Sequence, residues 1–435
     1  MLIQGLTRRA RGVVLLSAVA WSLAASPTLA APKAIRFGKL LGPDGRLLPN
    51  ATVIVEGDRI QALGTGLAVP AGAEVIDLSG FTAIPGLIDV HTHMTYFWDG
   101  APGTRPRGQA ARHPAVTVFL AQQNARRTLE TGVTTVRDLG ASEYTDVAMR
   151  DLIRSGAMVG PRMFVSGYGL TVTRAAARPG VGAPSGGTAD GVAEVTKVAR
   201  QQLGAGADWI KVYGSTGSYE DVTGFQTFSF DEMKAAAFVA HSFGKRIAIH
   251  SYGAAGARDA VRAGADSLEH AVDLDDETLA EMARRGTVYV PTVDHNRYYR
   301  DNVDAYGFAP GSAERLQAFI DRNLDTLKRA VRAGVRVAMG SDAVYSGFGQ
   351  NTRELEWFVK AGMTPAQALA TATTTAAELL DQGNRLGRIA PGFAADLVAI
   401  EGQPLDNIGD VITGVRWVMK DGVVVVASAP TAGPR

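Results

Sequence analysis

The side chains best suited to chemistry in this 435-residue sequence sit at the ends of short apolar runs. Leu87-Ile88-Asp89-Val90 ends in His91-Thr92-His93. In an extended strand, residues i and i+2 face the same way, so both imidazoles can present to one ion. Neutral imidazole suits zinc and similar divalent cations. Further along, Asp208 to Tyr213 carries Lys211, Arg246 to Ile249 ends in His250, Ser267 to Glu269 ends in His270, and Val337 to Ser341 ends in Asp342. Four of the seven histidines fall at such ends. Singly, each has an ordinary reading: Lys211 snorkelling to water, His250 and His270 as hydrogen-bonded core residues, Asp342 as a helix N-cap. Together, and in this order, they read as one metal centre. With no cysteine in the chain, such a centre rests on histidine, carboxylate or modified lysine.

The elements that position them alternate. Strands are expected at 87–91, 133–138, 163–167, 208–213, 246–250, 266–270, 287–291 and 335–341. Helices are expected at Ala115–Thr131, Gly191–Leu203, Phe230–Phe243, Ala254–Ala263, Asp275–Arg285 and Ala313–Ala333, several running into a glycine stop. Eight such units over roughly 250 residues predict an α/β fold of the (β/α)8 TIM-barrel type, with the chemistry at the C-terminal strand ends. An open doubly wound sheet lacks its Gly-x-Gly-x-x-Gly turn here. Short strands precede the barrel (35–40, 51–56, 59–62, 74–78) and follow it (395–400, 411–419, 423–426), predicting a small β-sandwich domain built from both chain ends. The expected organisation is a signal peptide at 1–30, the sandwich at 31–86 and 387–435, and the hydrolase barrel at 87–386. The leader reading rests on Arg8, Arg9 and Arg11, the apolar run from Gly12 to Ala25, and the small-residue site Thr28-Leu29-Ala30. It places the mature protein in the periplasm or outside the cell, without stable membrane association. Its removal moves the formal charge from +1 to −2 and leaves no electrostatic footprint for nucleic acid.

The motifs resemble those of the amidohydrolase superfamily, in its binuclear metal branch. The nearest group holds imidazolonepropionase-like proteins, Xaa-Pro and Xaa-Arg dipeptidases and ochratoxin-hydrolysing amidohydrolases. The resemblance rests on Pro85 to His93, Thr131 to Asp138, Lys211, His250, His270, Gly340-Ser341-Asp342 and Gly387 to Val398. It implies that His91, His93 and Asp342 hold one divalent ion and His250 and His270 a second, zinc being the expected metal. Lys211, N-carboxylated, would bridge them, because a carbamate offers anionic oxygens where an ammonium offers none. It further implies a metal-bridging hydroxide attacking an amide carbonyl, with Asp342 as the catalytic proton carrier, and assembly into a homo-oligomer.

Substrate contacts are expected from the strand-end loops: Tyr96, His113, Arg174, Tyr213, His295 and Arg297, with Phe97, Trp98, Arg178, Tyr298 and Tyr299 nearby. Aromatics pack apolar groups, and arginine grips a carboxylate. Thr171-Val172-Thr173-Arg174 stands where dipeptidase relatives often carry Gly-Gly-His, which departs from a standard Xaa-Pro dipeptidase. The expected activity is therefore carboxypeptidase- or dipeptidase-like cleavage of N-acyl amino acids, dipeptides or ochratoxin-type amides. Hydrolysis of a cyclic amide or lactone, or deamination, on the same scaffold stands as the alternative, and a non-catalytic scaffold is disfavoured because no ligand is missing.

Overall fold

The first four strands, β1 (Lys33–Leu41), β2 (Leu47–Glu56), β3 (Arg59–Thr65) and β4 (Glu74–Pro85), run up to the histidine strand β5 (Leu87–Thr92). Then come β6 (Val133–Asp138), β7 (Arg162–Val165), β8 (Trp209–Tyr213), β9 (Arg246–Ser251), β10 (Ser267–His270) and β11 (Val288–Val290). The chain closes with β12 (Leu397–Ile400), β13 (Val415–Lys420) and β14 (Val423–Ala427). This computed structural model describes residues 31–106, 112–173, 186–217 and 224–427. The chain divides into two compact units at Ala30/Ala31, and the proposed leader lies outside the described residues.

Among the described residues the strands form three sheets. β5-β6-β7 and β8-β9-β10-β11 are parallel throughout. Their residues are almost all buried, because helices cover parallel strands and continuous apolar runs result. Isolated parallel bridges join Leu170 to Val212, Tyr289 to Val337 and Thr92 to Ala343. The helices begin and end where local chemistry directs. Ser229 and Glu232 form a capping box for Phe230–Ser242, and Asp275 accepts the Thr278 N–H at the start of Asp276–Arg285. Gly264 and Gly286 end their helices with positive φ.

Three expectations change. Residues 335–341 make one bridge, at Val337, rather than a regular strand, because their backbone is shared: Ala338 N–H goes to Tyr289 O, but Met339 N–H goes to Thr371 O at a helix end. The loop after β11 is helical over Val293–Asp301 and Val303–Tyr306. Residues 411–413 belong to a short helix, Gly409–Thr413, and the strand starts only at Val415. Asn407 accepts the Gly409 N–H and holds Asp410 through its amide, which winds the turn before Gly414.

The third sheet takes strands from both chain ends, in the order β14-β13-β12-β4-β1-β2-β3. Phe37 on β1 nevertheless meets Trp417 on β13 edge to face, with ring centroids 6.5 Å apart. The sheet is tied to the strands ahead of the site by Arg162. Its guanidinium pairs with Asp396 (2.8 Å) and Asp421 and donates to Thr135. Asp396 also accepts from the Thr134 hydroxyl and the Asp421 N–H. Burial opposes the Asp421 charge, but the neighbouring Arg162 and Lys420 hold its carboxyl below the usual range. That contribution is complete above the free-carboxylate value and fades as pH falls through the depressed one. Asp396→Ala leaves Arg162 short of a buried partner and is expected to cost about 3 kcal/mol of unfolding free energy. Urea unfolding at fixed zinc reads this, and a change below about 0.5 kcal/mol rules the latch out.

Candidate metal centre

Four of the six expected ligands, His91, His93, His250 and His270, form one network of ring contacts, and Asp342 meets His91 and His93. His91, His93 and Asp342 offer ligand atoms that all lie within 4.8 Å of one another, and all three are buried. Asp342 Oδ1 is 3.2 Å from His93 Nε2 and 3.6 Å from His91 Nε2. The His91 ring is 5.0 Å from that of His270, and His270 is 4.5 Å from His250. The sixth, Lys211, projects its Nζ over the Tyr213 ring at 5.3 Å, and its charge bears on both His91 and His250.

Each imidazole is oriented from behind. His91 Nδ1 meets Glu269 Oε2 at 2.7 Å, His93 Nδ1 meets Gly140 O at 3.1 Å, and His270 Nδ1 meets Thr292 Oγ1 at 2.6 Å. A ring that donates through Nδ1 keeps the Nε2 lone pair for a cation. Glu269 is secured by Arg137, which is fully buried, donates to Val90 O and Ser267 Oγ, and lies 4.4 Å over the Trp209 ring. Asp89 ties β5 to the Asp342 segment: it accepts from Ser341 N–H and Oγ–H, Asn351 Nδ2–H and His91 N–H.

The electrostatics suit a cation. Burial, reinforced by the Lys211 charge, pulls His91 down to about 4, and burial also pushes His250 and His270 well below the ordinary imidazole value. These rings are neutral near pH 7. Burial would raise Asp342, yet the imidazoles of His295, His91 and His93 hold its carboxyl well below the usual range. Burial likewise opposes the Glu269 charge, and Arg137 and His91 bring it to about 2. Lys211 is brought down to about 8 by burial, and its amine has no hydrogen-bond partner among the described residues. A buried donor left unpaired is costly. This group is therefore the feature that protein partners alone do not explain. Converted to a carbamate and set against cations, it would be satisfied, so the donor set fits divalent metal.

The expected substrate residues divide. Tyr96 stacks on His93 (4.8 Å between centroids) and meets Tyr345 at 5.9 Å. Tyr213 lies edge-on to His250, and its hydroxyl reaches Gly140, where a Cβ would stand only 2.7 Å from that oxygen. His295 contacts Asp342 instead, with Nε2 3.1 Å from Oδ2. Arg297 is taken up by Asp294, Asp301 and Gln350, which leaves it no fork for a substrate carboxylate. His113 accepts the Ala115 N–H at the N-cap of the helix Pro114–Glu130. Arg174 and Arg178 lie outside the described residues. Sequence reasoning missed Arg137, Glu269, Asp89, Thr292 and Glu354. A charge inside an apolar strand, as Glu269 is in Ser-Leu-Glu-His, was the available signal, since such a charge requires a partner.

Comparison with known proteins agrees with this geometry. The pattern of the amidohydrolase family, a metal-dependent family, matches residues 82–425. Ochratoxinase from Aspergillus niger is 31% identical over 405 residues, covering 86% of this chain and 82% of that protein. Imidazolonepropionase from Streptomyces griseus subsp. griseus is 25% identical over 418 residues, covering 89% and 93%. Among solved structures, a Xaa-Pro dipeptidase with methionine bound in its active site superposes with a TM-score of 0.82 at 30% identity, covering 91% of this chain and 99% of that one. The chain belongs to the amidohydrolase family and is a hydrolase of amide bonds.

Proposed function

We propose that this enzyme is a two-metal hydrolase that releases an amino acid from the C-terminal side of an amide, as in N-acyl amino acids, dipeptides or ochratoxin-type amides. The carrying observation is the buried amine of Lys211, without a hydrogen-bond partner among the described residues, beside His91, His93, His250, His270 and Asp342. The names of the relatives, an ochratoxinase and a Xaa-Pro dipeptidase, support the substrate class. In this reading His91, His93 and Asp342 hold one ion, His250 and His270 the other, and carboxylated Lys211 joins them. Bound zinc supplies a Lewis acid for the carbonyl and water of lowered pKa. Asp342 uses Oδ1 toward His91 and His93, and its Oδ2 takes the proton of the attacking water and returns it to the leaving nitrogen. In this reading the Tyr213 phenol, edge-on to His250 and protonated near pH 7 as any tyrosine is, donates to the carbonyl oxygen. Tyr96 and Tyr345 offer half-buried aromatic faces beside His93 for the flat or apolar part of the substrate.

The same reading closes the two parallel sheets and the 335–343 segment into an eight-membered (β/α)8 barrel, supported by the bridges at Leu170, Tyr289 and Thr92. It also folds the third sheet over itself as a β-sandwich of 31–86 and 387–435. Phe37 and Trp417 sit on strands three steps apart, a separation of about 14 Å in a flat sheet, yet their rings touch. Residues 1–30 act as an export signal in this proposal.

A liquid-chromatography screen of N-acyl-Phe, -Pro, -Arg and -Leu with zinc-loaded enzyme tests the substrate class. Cleavage of at least one is expected, with two zinc ions per chain and a carboxyl adduct on Lys211 by mass spectrometry. Turnover of lactones or cyclic ureas alone, or a single ion per chain, defeats the proposal.

A further inference from the structure

One short turn after β11 touches two of the proposed ligands, His270 at the end of β10 and Asp342 in the segment after 335–341. Thr292, the residue before the helix Val293–Asp301, sets its hydroxyl 2.6 Å from His270 Nδ1. One turn later His295 Nε2 stands 3.1 Å from Asp342 Oδ2. The turn is not relaxed: Thr292 has φ +49°, and a β-branched residue rarely adopts that region. Such a conformation persists only where its surroundings enforce it.

The enforcing group is Glu354. It starts the helix Glu354–Lys360 and is fully buried. Its two oxygens accept the consecutive N–H groups of Val293 (2.9 Å, Oε1) and Asp294 (2.7 Å, Oε2). A helix N-terminus leaves these donors without intrahelical partners, and the two Glu354 oxygens supply the acceptors, although burial pushes its carboxyl well above the usual range. Asp294 is locked in turn by Arg297 and by Trp357 Nε1 at 3.0 Å, the latter from the same helix as Glu354. No substrate-facing role accounts for Glu354.

We propose that Glu354 is a positioning residue that acts through the Thr292–His295 turn, holding the imidazole of His270 and the carboxylate of Asp342 in register. Thr292 accepts the His270 Nδ1 proton and leaves Nε2 open to a cation. His295 binds the Asp342 oxygen that faces away from His91 and His93, and so fixes the carboxylate plane. One rigid element thereby sets a ligand of each of the two proposed ions. The inference rests on the two-metal reading above, but it is read through metal retention, which needs no substrate.

The test uses the full zinc-loaded chain and competition with a chromophoric chelator. Glu354→Gln supplies one acceptor oxygen and opposes an N–H with an amide NH2. It is expected to weaken zinc retention ten- to hundredfold. Thr292→Val keeps the shape and the β-branch but lacks the hydroxyl, and is expected to loosen one ion of two. Thr292→Ser, which keeps the hydroxyl, is expected to restore that ion. If Glu354→Gln is too unstable to purify, the Thr292 pair decides alone. Parent-like zinc retention in Thr292→Val, or equal loss in Thr292→Val and Thr292→Ser, overturns the proposal. So does a Glu354→Gln protein that unfolds at lower temperature yet holds zinc like the parent. Failure of the amide screen with this pattern intact would count against the substrate assignment only.

Discussion

Asp342→Asn is expected to lower kcat by about 10³-fold or more while the protein stays folded, because proton transfer by a positioned carboxylate contributes on the order of 10²–10⁴ and a ligand charge is lost besides. The asparagine has almost the same shape, so the Asp342 N–H bond to His91 O (2.7 Å) and the Ser341–Asp89 contacts survive. What disappears is the anion that three imidazoles now stabilise. Steady-state rates at saturating zinc, taken with circular dichroism and metal content, check this. A variant within threefold of the parent would remove Asp342 from the proton-carrying role.

Lys211→Met should separate activity from stability. Methionine fills a similar volume without an amine, so the Lys211 contribution to metal binding is lost and turnover should fall at least 10²-fold. In the metal-free protein the same change removes a buried amine that has no hydrogen-bond partner among the described residues. Unfolding should therefore require about 1–3 kcal/mol more. The pH dependence carries a sign. Unfolded lysine keeps its proton to about 10.4, whereas burial brings the folded group down to about 8. Between these values the unfolded chain binds more protons, so the metal-free parent gains stability as pH rises, and the full penalty is present below the lower value. Lys211→Met should lack that slope. Urea titrations of chelator-treated protein from pH 7 to 10 test it, and a less stable metal-free variant would mean that the amine is satisfied in a way the structure does not contain.

Local pattern was enough for much of this protein. Helix ends followed from the glycine stops Gly132, Gly264 and Gly334, because such stops act within a turn of the chain. The candidate ligands were readable because His91, His93, His250, His270 and Asp342 each end an apolar run, and the structure brings His91, His93 and Asp342 within 4.8 Å of one another. Arg297 was not legible for the complementary reason. Its neighbours Asp294 and Asp301 are near in sequence, but only the helical winding of Val293–Asp301 shows that they, with Gln350, take up four of its five N–H groups.

Residue type and spacing, then, determined by themselves which side chains are capable of binding metal and which elements carry them, since periodicity and capping are properties of the local chain. The tertiary structure decided how those side chains are aimed. Glu269 behind His91, Thr292 behind His270 and Glu354 behind the turn at Thr292 are partners drawn from 22 to 178 residues away. A hydrogen bond between such distant segments exists only once the core has packed, so no pattern along the chain encodes it.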